Sequence, residues 1–329
     1  MLTIQKNIPL APLTTFKIGG PAKFFCVAKD KSELLEALDF AKENKLEIFM
    51  LGGGSNVLFS DKGFDGLVIK MQSSEVSEPS FAKATAGKQD AKIECWAGES
   101  LASVVNFTKE NSLMGMEWAV GIPGTVGGAV RGNAGAPWGC MADSIESVRG
   151  INLENQESID YSREDCKFSY RDSVFKKDKN LLILSCILKM QKGERDMIEK
   201  RMQEISKTRS DNQPKGLSSG SFFQNPVVSD KNLIAEFEKD TGKKIEENKS
   251  LYKQERGEIK LPAGWLIEEA GFKGKKIGGV MVSEKHANFF INDGTGTAED
   301  VVILAGIIKQ KIREEFDTQI KEEIIYVGF

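Results

Sequence analysis

The segment GIPGTVGGAVRGNAGA, residues 121–136, carries the strongest indication of the fold, because six of its sixteen residues are glycine. Average proteins contain about 7 % glycine, so the density exceeds what ordinary turns need. Glycine lets the backbone adopt positive φ and approach a ligand closely, so that several N–H groups can converge on an anion. The side chains of Thr125 and Asn133 add uncharged donors. The segment therefore predicts a backbone cradle for a phosphate group.

A second glycine cluster, GGGSN at residues 52–56, follows an apolar run at 46–51. Residues 23–28 and 46–51 predict strands, and the capping-box spacing of Asp30 and Glu33 predicts a helix between them. In open α/β sheets, ligands bind beyond the carboxyl ends of the strands, where GGGSN lies. Tight turns alone would explain one such loop, and neither loop matches a nucleotide fingerprint. Two loops in one half of the chain favour a large diphosphate ligand.

The composition is that of an ordinary globular protein and excludes several function classes. The chain has 329 residues, of which 40 % are hydrophobic, and a net charge of −3, without the basic surface that nucleic-acid binding requires. No apolar run approaches the roughly 20 residues of a membrane helix, and no secretory signal is visible. Five scattered cysteines without a C-x-x-C pair predict reduced thiols in a cytoplasmic protein, and a single histidine argues against a metal site.

The remaining periodicity predicts an α/β or α+β fold. Further strands are expected at 93–97, within 145–190, at 221–228, within 279–292 and at 323–328. Further helices are expected at 100–111, 193–208, 230–239, 262–270 and 298–316, the last capped by Thr297 and Asp300 and carrying an apolar stripe. The polar segment 72–92 has no period and predicts an exposed loop or an insertion.

Long motifs follow one another along the chain. They are TTFKIGGPA (14–22), LGGGSNVL (51–58), GIPGTVGGAVRGNAG (121–135), YRDSVFK (170–176), GSFFQNP (220–226), AGWLIEEAGFKG (263–274) and GGVMVSEKHANFFIN (278–292). Together they resemble the UDP-N-acetylenolpyruvoylglucosamine reductases, and they stand in the order found in that family. Arg171 and Ser221 are 50 positions apart, which resembles the shorter class of these reductases, without the tyrosine-bearing loop of the longer class.

The resemblance implies an α+β fold with two α/β subdomains that hold FAD, of the vanillyl-alcohol oxidase and p-cresol methylhydroxylase type, and a C-terminal α+β substrate-binding domain. The expected divisions are 1–71 and 72–208 for the FAD subdomains, with 72–92 as an inserted loop, 209–317 for the substrate domain, and 318–329 for a strand that returns Glu323 to the active site.

The resemblance also implies the reaction and its participants. NADPH would reduce non-covalently bound FAD, and the flavin would then reduce UDP-N-acetylglucosamine enolpyruvate to UDP-N-acetylmuramate, a step in peptidoglycan precursor synthesis. The enzyme is expected to be a cytoplasmic monomer with small-molecule substrates, without nucleic-acid, membrane or metal partners.

Three residues match the family's catalytic residues. Arg171 and Glu323 match the pair that stabilises the enolate formed by hydride addition, and Ser221 matches the serine that protonates the neighbouring carbon. A serine in that role needs no histidine base. Each of the three residues also has a purely structural alternative. Arg171 could form an ion pair with Asp172, and Ser221 could serve a turn or a helix cap. Glu323 could begin a strand in contact with solvent, and Glu322 competes with it for the catalytic role. Ser218 and Ser219 compete with Ser221 for the same role.

The resemblance places the other expected contacts in two loops and around the substrate. The expected FAD contacts are Gly52, Gly53, Gly54, Ser55, Asn56, Val57, Leu58, Gly121, Ile122, Pro123, Gly124, Thr125, Gly127, Gly128, Ala129, Gly132, Asn133 and Ala134. The expected substrate contacts are Tyr170, Arg209, Lys215 and Asn225, with Gln213 as a further candidate. Gln224 stands where many relatives have lysine.

Two rival functions remain open from the sequence. One is a flavin-dependent alcohol oxidase of the same fold; a histidine tether for the flavin is impossible in residues 1–210, because the only histidine is His286. The other is a protein that binds nucleotide sugars without catalysis. The presence of Arg171, Ser221 and Glu323 in their motif settings argues against it.

Overall fold

The computed structural model describes residues 2–72, 90–245, 252–253 and 258–329. The chain divides into two compact units. The first comprises Met1–Ile8, Ala22–Gly54 and Phe64–Asp211, and the second comprises Pro9–Pro21, Ser55–Gly63 and Asn212–Phe329. The expected division into FAD subdomains and a substrate domain stays a prediction, and most of the expected inserted loop, 73–89, lies outside the described residues.

The described residues form these helices: α1 (Lys31–Glu43), α2 (Leu101–Glu110), α3 (Val126–Arg131), α4 (Met141–Ser144), α5 (Val174–Lys177), α6 (Arg195–Asn212), α7 (Lys231–Thr241), α8 (Ala263–Glu269) and α9 (Ala298–Phe316). They form these strands: β1 (Gln5–Pro9), β2 (Pro21–Ala28), β3 (Ile48–Leu51), β4 (Val57–Phe59), β5 (Phe64–Met71), β6 (Asp90–Trp96), β7 (Leu113–Met114), β8 (Gly135–Ala136), β9 (Gly139–Cys140), β10 (Ile145–Asn152), β11 (Ser158–Ser162), β12 (Leu181–Lys192), β13 (Val227–Val228), β14 (Tyr252–Lys253), β15 (Glu258–Lys260), β16 (Lys276–Ile277), β17 (Val280–Val282), β18 (Phe290–Asn292) and β19 (Ile325–Val327).

The first unit contains a four-stranded sheet in the order β1-β2-β5-β3, in which β5 runs parallel to both β2 and β3. Helix α1 begins after Asp30, whose carboxylate accepts a hydrogen bond from the amide of Glu33 at 2.9 Å. The apolar stripe of α1 is buried in the core of this unit. The predicted strand–helix–strand unit therefore forms, although β5 separates its two strands.

A second sheet of the first unit is antiparallel, in the order β11-β10-β12-β6, with β7 also paired to β12. Strand β6 begins at Asp90, so the expectation that the loop extends to residue 92 is wrong at that end. Cys95 and Cys186 face each other across β6 and β12, and burial raises the pKa of both thiols. These two thiols are therefore protonated and unreactive at neutral pH.

The second unit combines α7, α8 and α9 with the small sheets β13-β15-β14 and β16-β17-β18. Thr297 and Asp300 form the expected capping box of α9, and the predicted stripe is buried at Val301, Leu304, Ala305, Ile308 and Ile312. The hydrophobic core of the second unit also includes the rings of Phe16, Phe222 and Phe290. Within the described part of the chain, no helix has both the length and the apolar character needed to cross a membrane.

Strands β4 and β19 pair in parallel inside the second unit, with Val57 opposite Ile325. The final strand is shorter than expected, so Glu323 lies just before it. The expected strand at 221–228 is regular only at Val227–Val228. The residues before Val227 form only single β-bridges, with Ser221 opposite Phe289 and Phe223 opposite Glu322. No regular strand forms there, because these residues pair with two different short segments and not with one continuous strand.

Candidate active site

Gly52 and Gly53 of the first glycine loop approach Gly124 and Thr125 of the second loop within the first unit. A Cβ built on Gly53 would lie 2.6 Å from the Cα of Gly124, and one built on Gly52 would lie 2.6 Å from the Oγ1 of Thr125. Only glycine allows the two backbones to come this close. The two loops therefore form one feature of the first unit.

The second loop is held by hydrogen bonds to the end of β6. The amide of Val126 donates to the carbonyl of Glu99 at 2.9 Å, and the amide of Gly127 donates to the carbonyl of Ala97 at 2.8 Å. Gly124 has φ +124°, a region that side-chain-bearing residues rarely enter. Apart from Arg131, the side chains of this segment are uncharged, and the amides of Val126 and Gly127 are taken up by these bonds within the protein.

Asn133 connects the second glycine loop to the YRDS motif. Its Nδ2 donates to the carbonyl of Ser169 at 2.8 Å, and its Oδ1 accepts from the amide of Ala142 at 3.0 Å. The residue is buried and has a positive φ of 41°. Both ends of its amide are therefore bonded within the protein, and the side chain positions the turn that carries Tyr170 and Arg171.

Arg171 lies in a tight turn of the first unit. Ser169 and Asp172 exchange backbone hydrogen bonds of 3.0 and 3.2 Å across it, which leaves Arg171 with φ 55°. Lys176 donates to the carbonyl of Arg171 at 2.7 Å, and the guanidinium lies 5.5 Å from the centre of the Tyr170 ring. A left-handed conformation costs a non-glycine residue energy, so the surrounding bonds hold a conformation that the isolated chain would avoid.

Two positive charges come together at this turn. Burial, and then the nearby charge of Arg171, lower the pKa of Arg209. The guanidinium of Arg209 lies beside the second glycine loop, since a Cβ on Gly121 would be 3.5 Å from its Nε. The carboxylate of Asp172 is engaged by Lys177 at 2.9 Å. Two neighbouring guanidinium groups repel each other, and an anionic ligand relieves that repulsion.

Ser221 starts a short extended segment of the second unit that is bonded along both edges. On one edge the amide of Phe222 donates to the carbonyl of Asn288 at 2.8 Å. On the other edge the amide of Glu323 donates to the carbonyl of Phe222 at 2.8 Å. The segment that carries Ser221 therefore lies between two extended segments, one with Asn288 and the other with Glu323, and is joined to them by single bridges.

The neighbouring serines differ from Ser221 in their surroundings. Ser219 is 6 % exposed, and its hydroxyl has no hydrogen-bond partner among the described residues. The carbonyl of Ser218 accepts from the Oγ1 of Thr15 at 2.7 Å, and its hydroxyl accepts from the amide of Gly220 at 3.4 Å. Ser221 is only half-buried. Ser218 is half-buried as well, so burial does not separate Ser221 from it, and the choice of Ser221 stays a prediction.

Glu322 and Glu323, which the sequence leaves as competitors, have different partners. Lys309 forms an ion pair of 2.8 Å with the carboxylate of Glu322. Within the second unit, the Nδ2 of Asn56 donates to the carbonyl of Glu323 at 3.2 Å. The amide of Ile325 in turn donates to the carbonyl of Asn56 at 3.1 Å. Asn56, expected only as an FAD contact, thus also positions Glu323.

Comparisons with known proteins identify the family. Residues 22–155 match the family model for an FAD binding domain, and residues 213–327 match the model for the C-terminal domain of UDP-N-acetylenolpyruvoylglucosamine reductase. A protein of that name from Caldicellulosiruptor bescii is 36 % identical over 98 % of this chain and 90 % of its own length. The chain belongs to the UDP-N-acetylenolpyruvoylglucosamine reductase family.

Other members of the reductase family match over the whole length. The reductase of Solibacter usitatus is 33 % identical over 99 % of this chain and 97 % of its own length. The crystal structure of the reductase MurB from Thermus caldophilus covers 100 % of both chains with a TM-score of 0.75 and 27 % identity. The expected α+β fold, with an FAD-binding domain and the C-terminal domain of the reductases, is therefore confirmed. Its assignment to the vanillyl-alcohol oxidase type stays a prediction.

The remaining expected substrate residues of this reductase-family chain have mixed surroundings. Lys215 is exposed and precedes Gly216, whose φ is +134°. The Oδ1 of Asn225 accepts from the amide of Ala263 at 3.0 Å, so this side chain helps to begin α8. Asn288, whose side chain bonds the Ser221 segment, was not among the residues expected from the sequence. Its only signal in the sequence was its position in the motif GGVMVSEKHANFFIN (278–292).

Proposed function

We propose that this chain catalyses the NADPH-dependent, FAD-mediated reduction of UDP-N-acetylglucosamine enolpyruvate to UDP-N-acetylmuramate. The supporting observation is that the segments carrying Ser221 and Glu323 are paired in the second unit, where the amide of Glu323 donates to the carbonyl of Phe222. These are two of the three residues that match the family's catalytic set. The enzyme would work as a cytoplasmic monomer in the synthesis of peptidoglycan precursors.

The glycine loops of the first unit would hold the cofactor. Gly52, Gly53, Gly124 and Thr125 form a backbone surface without charged side chains, which suits the diphosphate of FAD. Bound FAD would take a hydride from NADPH and supply it to the enolpyruvyl group. The first 210 residues contain no histidine, so the cofactor would be bound without a histidine tether.

The arginines of the first unit would bind the substrate's negative charge. Arg171 and Arg209 lie close enough for the charge of one to lower the pKa of the other, so a carboxylate between or beside them is favoured. Negative charge develops on that carboxylate when hydride adds to the neighbouring double bond. A preorganised guanidinium stabilises charge at the moment it develops, and we assign this role to Arg171.

Ser221 and Glu323 would complete the reaction in the second unit. The hydroxyl of Ser221 gives its proton to the carbon next to the carboxylate, which completes the saturated lactyl ether. Glu323, on the neighbouring segment, acts as a protonated acid or through a bridging water, donates a hydrogen bond to the enolate and so supports Arg171 in stabilising it. The ion pair of Glu322 with Lys309 supports the choice of Glu323 over Glu322 for this role.

The replacement Ser221→Ala tests this assignment. Flavin reduction by NADPH should stay within about twofold of wild type, whereas re-oxidation of the flavin by the enolpyruvyl substrate should slow by about 10² to 10⁴, the usual contribution of general acid catalysis. Stopped-flow absorbance of the flavin separates the two half-reactions. The matched control is Ser219→Ala, which removes the buried hydroxyl two residues away and should leave both rates near wild type.

Two results would contradict the proposal. If Ser221→Ala re-oxidised at the wild-type rate, the serine would not be the proton donor. If the wild-type protein bound the nucleotide sugar but consumed no NADPH in its presence, the chain would be a binding protein and not a reductase.

A further inference from the structure

Asn288 makes an unusual set of bonds to the segment that follows Ser221. Its Nδ2 donates to the carbonyl of Phe223 at 2.8 Å, and its Oδ1 accepts from the amide of Phe223 at 2.9 Å. Its own carbonyl accepts from the amide of Phe222 at 2.8 Å. The residue is 3 % exposed. The side-chain amide thus bonds one residue of the segment as a neighbouring strand would.

These bonds account for most of the backbone pairing of Phe222 and Phe223. The two residues have four backbone polar groups, and three of them bond to Asn288. The fourth, the carbonyl of Phe222, accepts from the amide of Glu323 at 2.8 Å. Asn288 therefore bonds the segment on one edge, while the backbone of Glu323 bonds it on the other.

The chemistry of the position requires an asparagine. Phe223 is buried, and a buried backbone donor or acceptor left without a partner costs about 1–3 kcal/mol. Only an amide side chain offers a donor and an acceptor side by side, and a glutamine would be one methylene too long. An aspartate would keep the acceptor but would present a second oxygen to the carbonyl of Phe223.

Aromatic packing leaves the segment little freedom to adjust. The ring of Phe222 stacks on that of Phe290 with centroids 4.2 Å apart and planes at 17°. Phe223 meets both rings edge-on. With the rings packed in the core, a loss of the Asn288 bonds would shift the backbone at the segment's end, where Ser221 lies opposite Phe289.

We infer that Asn288 is a positioning residue, which holds the backbone of Phe222 and Phe223 so that the hydroxyl of Ser221 stays in register with Glu323. The inference rests on the proposed function, in which Ser221 donates the proton. Asn288 touches no reacting atom; it acts through the segment it bonds.

The replacement Asn288→Asp in the FAD-loaded enzyme tests the inference. Re-oxidation of reduced flavin by the enolpyruvyl substrate should slow by about 10- to 100-fold, since a displacement near 1 Å can cost that much in rate. Flavin reduction by NADPH should stay within about twofold. The amide of Phe223 should exchange with solvent faster, which nuclear magnetic resonance detects without any turnover.

Asn292→Asp is the matched control. Asn292 is also 3 % exposed, and its amide also bonds backbone, donating to the carbonyl of Phe16 at 2.9 Å and accepting from the amide of Gly294 at 2.8 Å. Its side chain does not bond the Ser221 segment. This variant should lose a similar amount of thermal stability while keeping the wild-type ratio of the two half-reaction rates.

A double variant distinguishes an effect through Ser221 from a general weakening. If Asn288 acts through the hydroxyl of Ser221, then Asn288→Asp with Ser221→Ala should re-oxidise no more slowly than Ser221→Ala alone. If the double variant instead slowed re-oxidation by the product of the two single-variant factors, the inference would be overturned. A folded Asn288→Asp variant with a wild-type re-oxidation rate would also overturn it.

Folding failure is also decisive. If neither Asn288→Asp nor the smaller Asn288→Ser yields folded protein with flavin bound, Asn288 serves the fold as a whole and the inference is overturned. A failure of the proposed function appears separately, because in that case Ser221→Ala itself would re-oxidise normally.

Discussion

Gly220 and Gly306 both have open space where a Cβ would lie, but their backbones differ. Gly220, next to Ser221, has φ +78°, a region that favours glycine for steric reasons. Gly306 lies inside helix α9, where glycine costs stability because the unfolded chain is more flexible. At the scale of single residues, the glycine beside the expected proton donor is required by conformation and the helical one is not.

Alanine replacements at these two glycines should therefore have opposite effects. Gly220→Ala should lower the free energy of unfolding by about 1–2 kcal/mol, because the new side chain strains a left-handed backbone. Gly306→Ala should raise it by about 0.5–1 kcal/mol. Urea denaturation of the two variants measures both changes. Effects of the same sign would show that the conformation at Gly220 is not the reason for its glycine.

At the scale of elements, the first unit depends on the close approach of two loops from separate parts of the chain. The backbone of Gly124 leaves no room for a Cβ on Gly53, and backbone atoms cannot rotate away as a side chain does. The second unit shows the same dependence in a strand pair, because β4 and β19 are adjacent in space although 265 residues separate their ends. These approaches, and not any single side chain, shape the regions that carry the expected site residues.

The replacement Gly53→Ala should weaken FAD binding by about tenfold or more, because the loops must separate to accept a methyl group and the backbone donors then no longer converge. Flavin titration of the apoprotein, followed by fluorescence, measures the change in Kd. Gly306→Ala, which introduces the same methyl group in open space, is the control and should bind FAD as the wild type does. Unchanged affinity in Gly53→Ala would place the cofactor away from these loops.

At the scale of the whole molecule, stability depends on pH through the chain's single histidine. The pKa of His286 is lowered mainly by burial of the ring, and the charge of Lys273 lowers it further. A backbone hydrogen bond of His286 and the charge of Glu268 act in the opposite direction and raise the pKa. The ring lies 4.9 Å from that of Phe289, and its Nδ1 accepts from the amide of Asn288 at 3.2 Å. The folded protein therefore prefers neutral His286.

The sign of the pH effect follows from this depressed pKa. Below about pH 6.5 the unfolded chain takes up a proton that the folded chain does not, so stability is complete above that pH and falls as pH falls toward the lower folded pKa. His286→Gln should flatten this part of the profile. Denaturant unfolding between pH 5 and 8 measures it, and the imidazole resonance gives the folded pKa directly. A folded pKa above 6.5 would reverse the prediction.

Local patterns predicted much of the fold. The stripe and capping box of α9 depend on residues within a few positions of one another, and both were correct. The glycine segments predicted a close approach of the backbone to a ligand, which stays a prediction. Boundaries were less accurate where pairing is irregular, as at residues 221–224, because the strand there depends on partners at 288–289 and 321–323 that are distant in the chain.

The sequence by itself determined the family motifs, the helices other than the short α3, α4 and α5, the caps of α1 and α9, and Arg171, Ser221 and Glu323 as candidates. Only the tertiary structure decided that Asn288 bonds the Ser221 segment, that Asn56 supports Glu323, and that Lys309 engages Glu322. The physical reason is that helix periodicity and capping are set by near neighbours. Pairing between distant backbone edges is set by how the whole core packs, which no short pattern encodes.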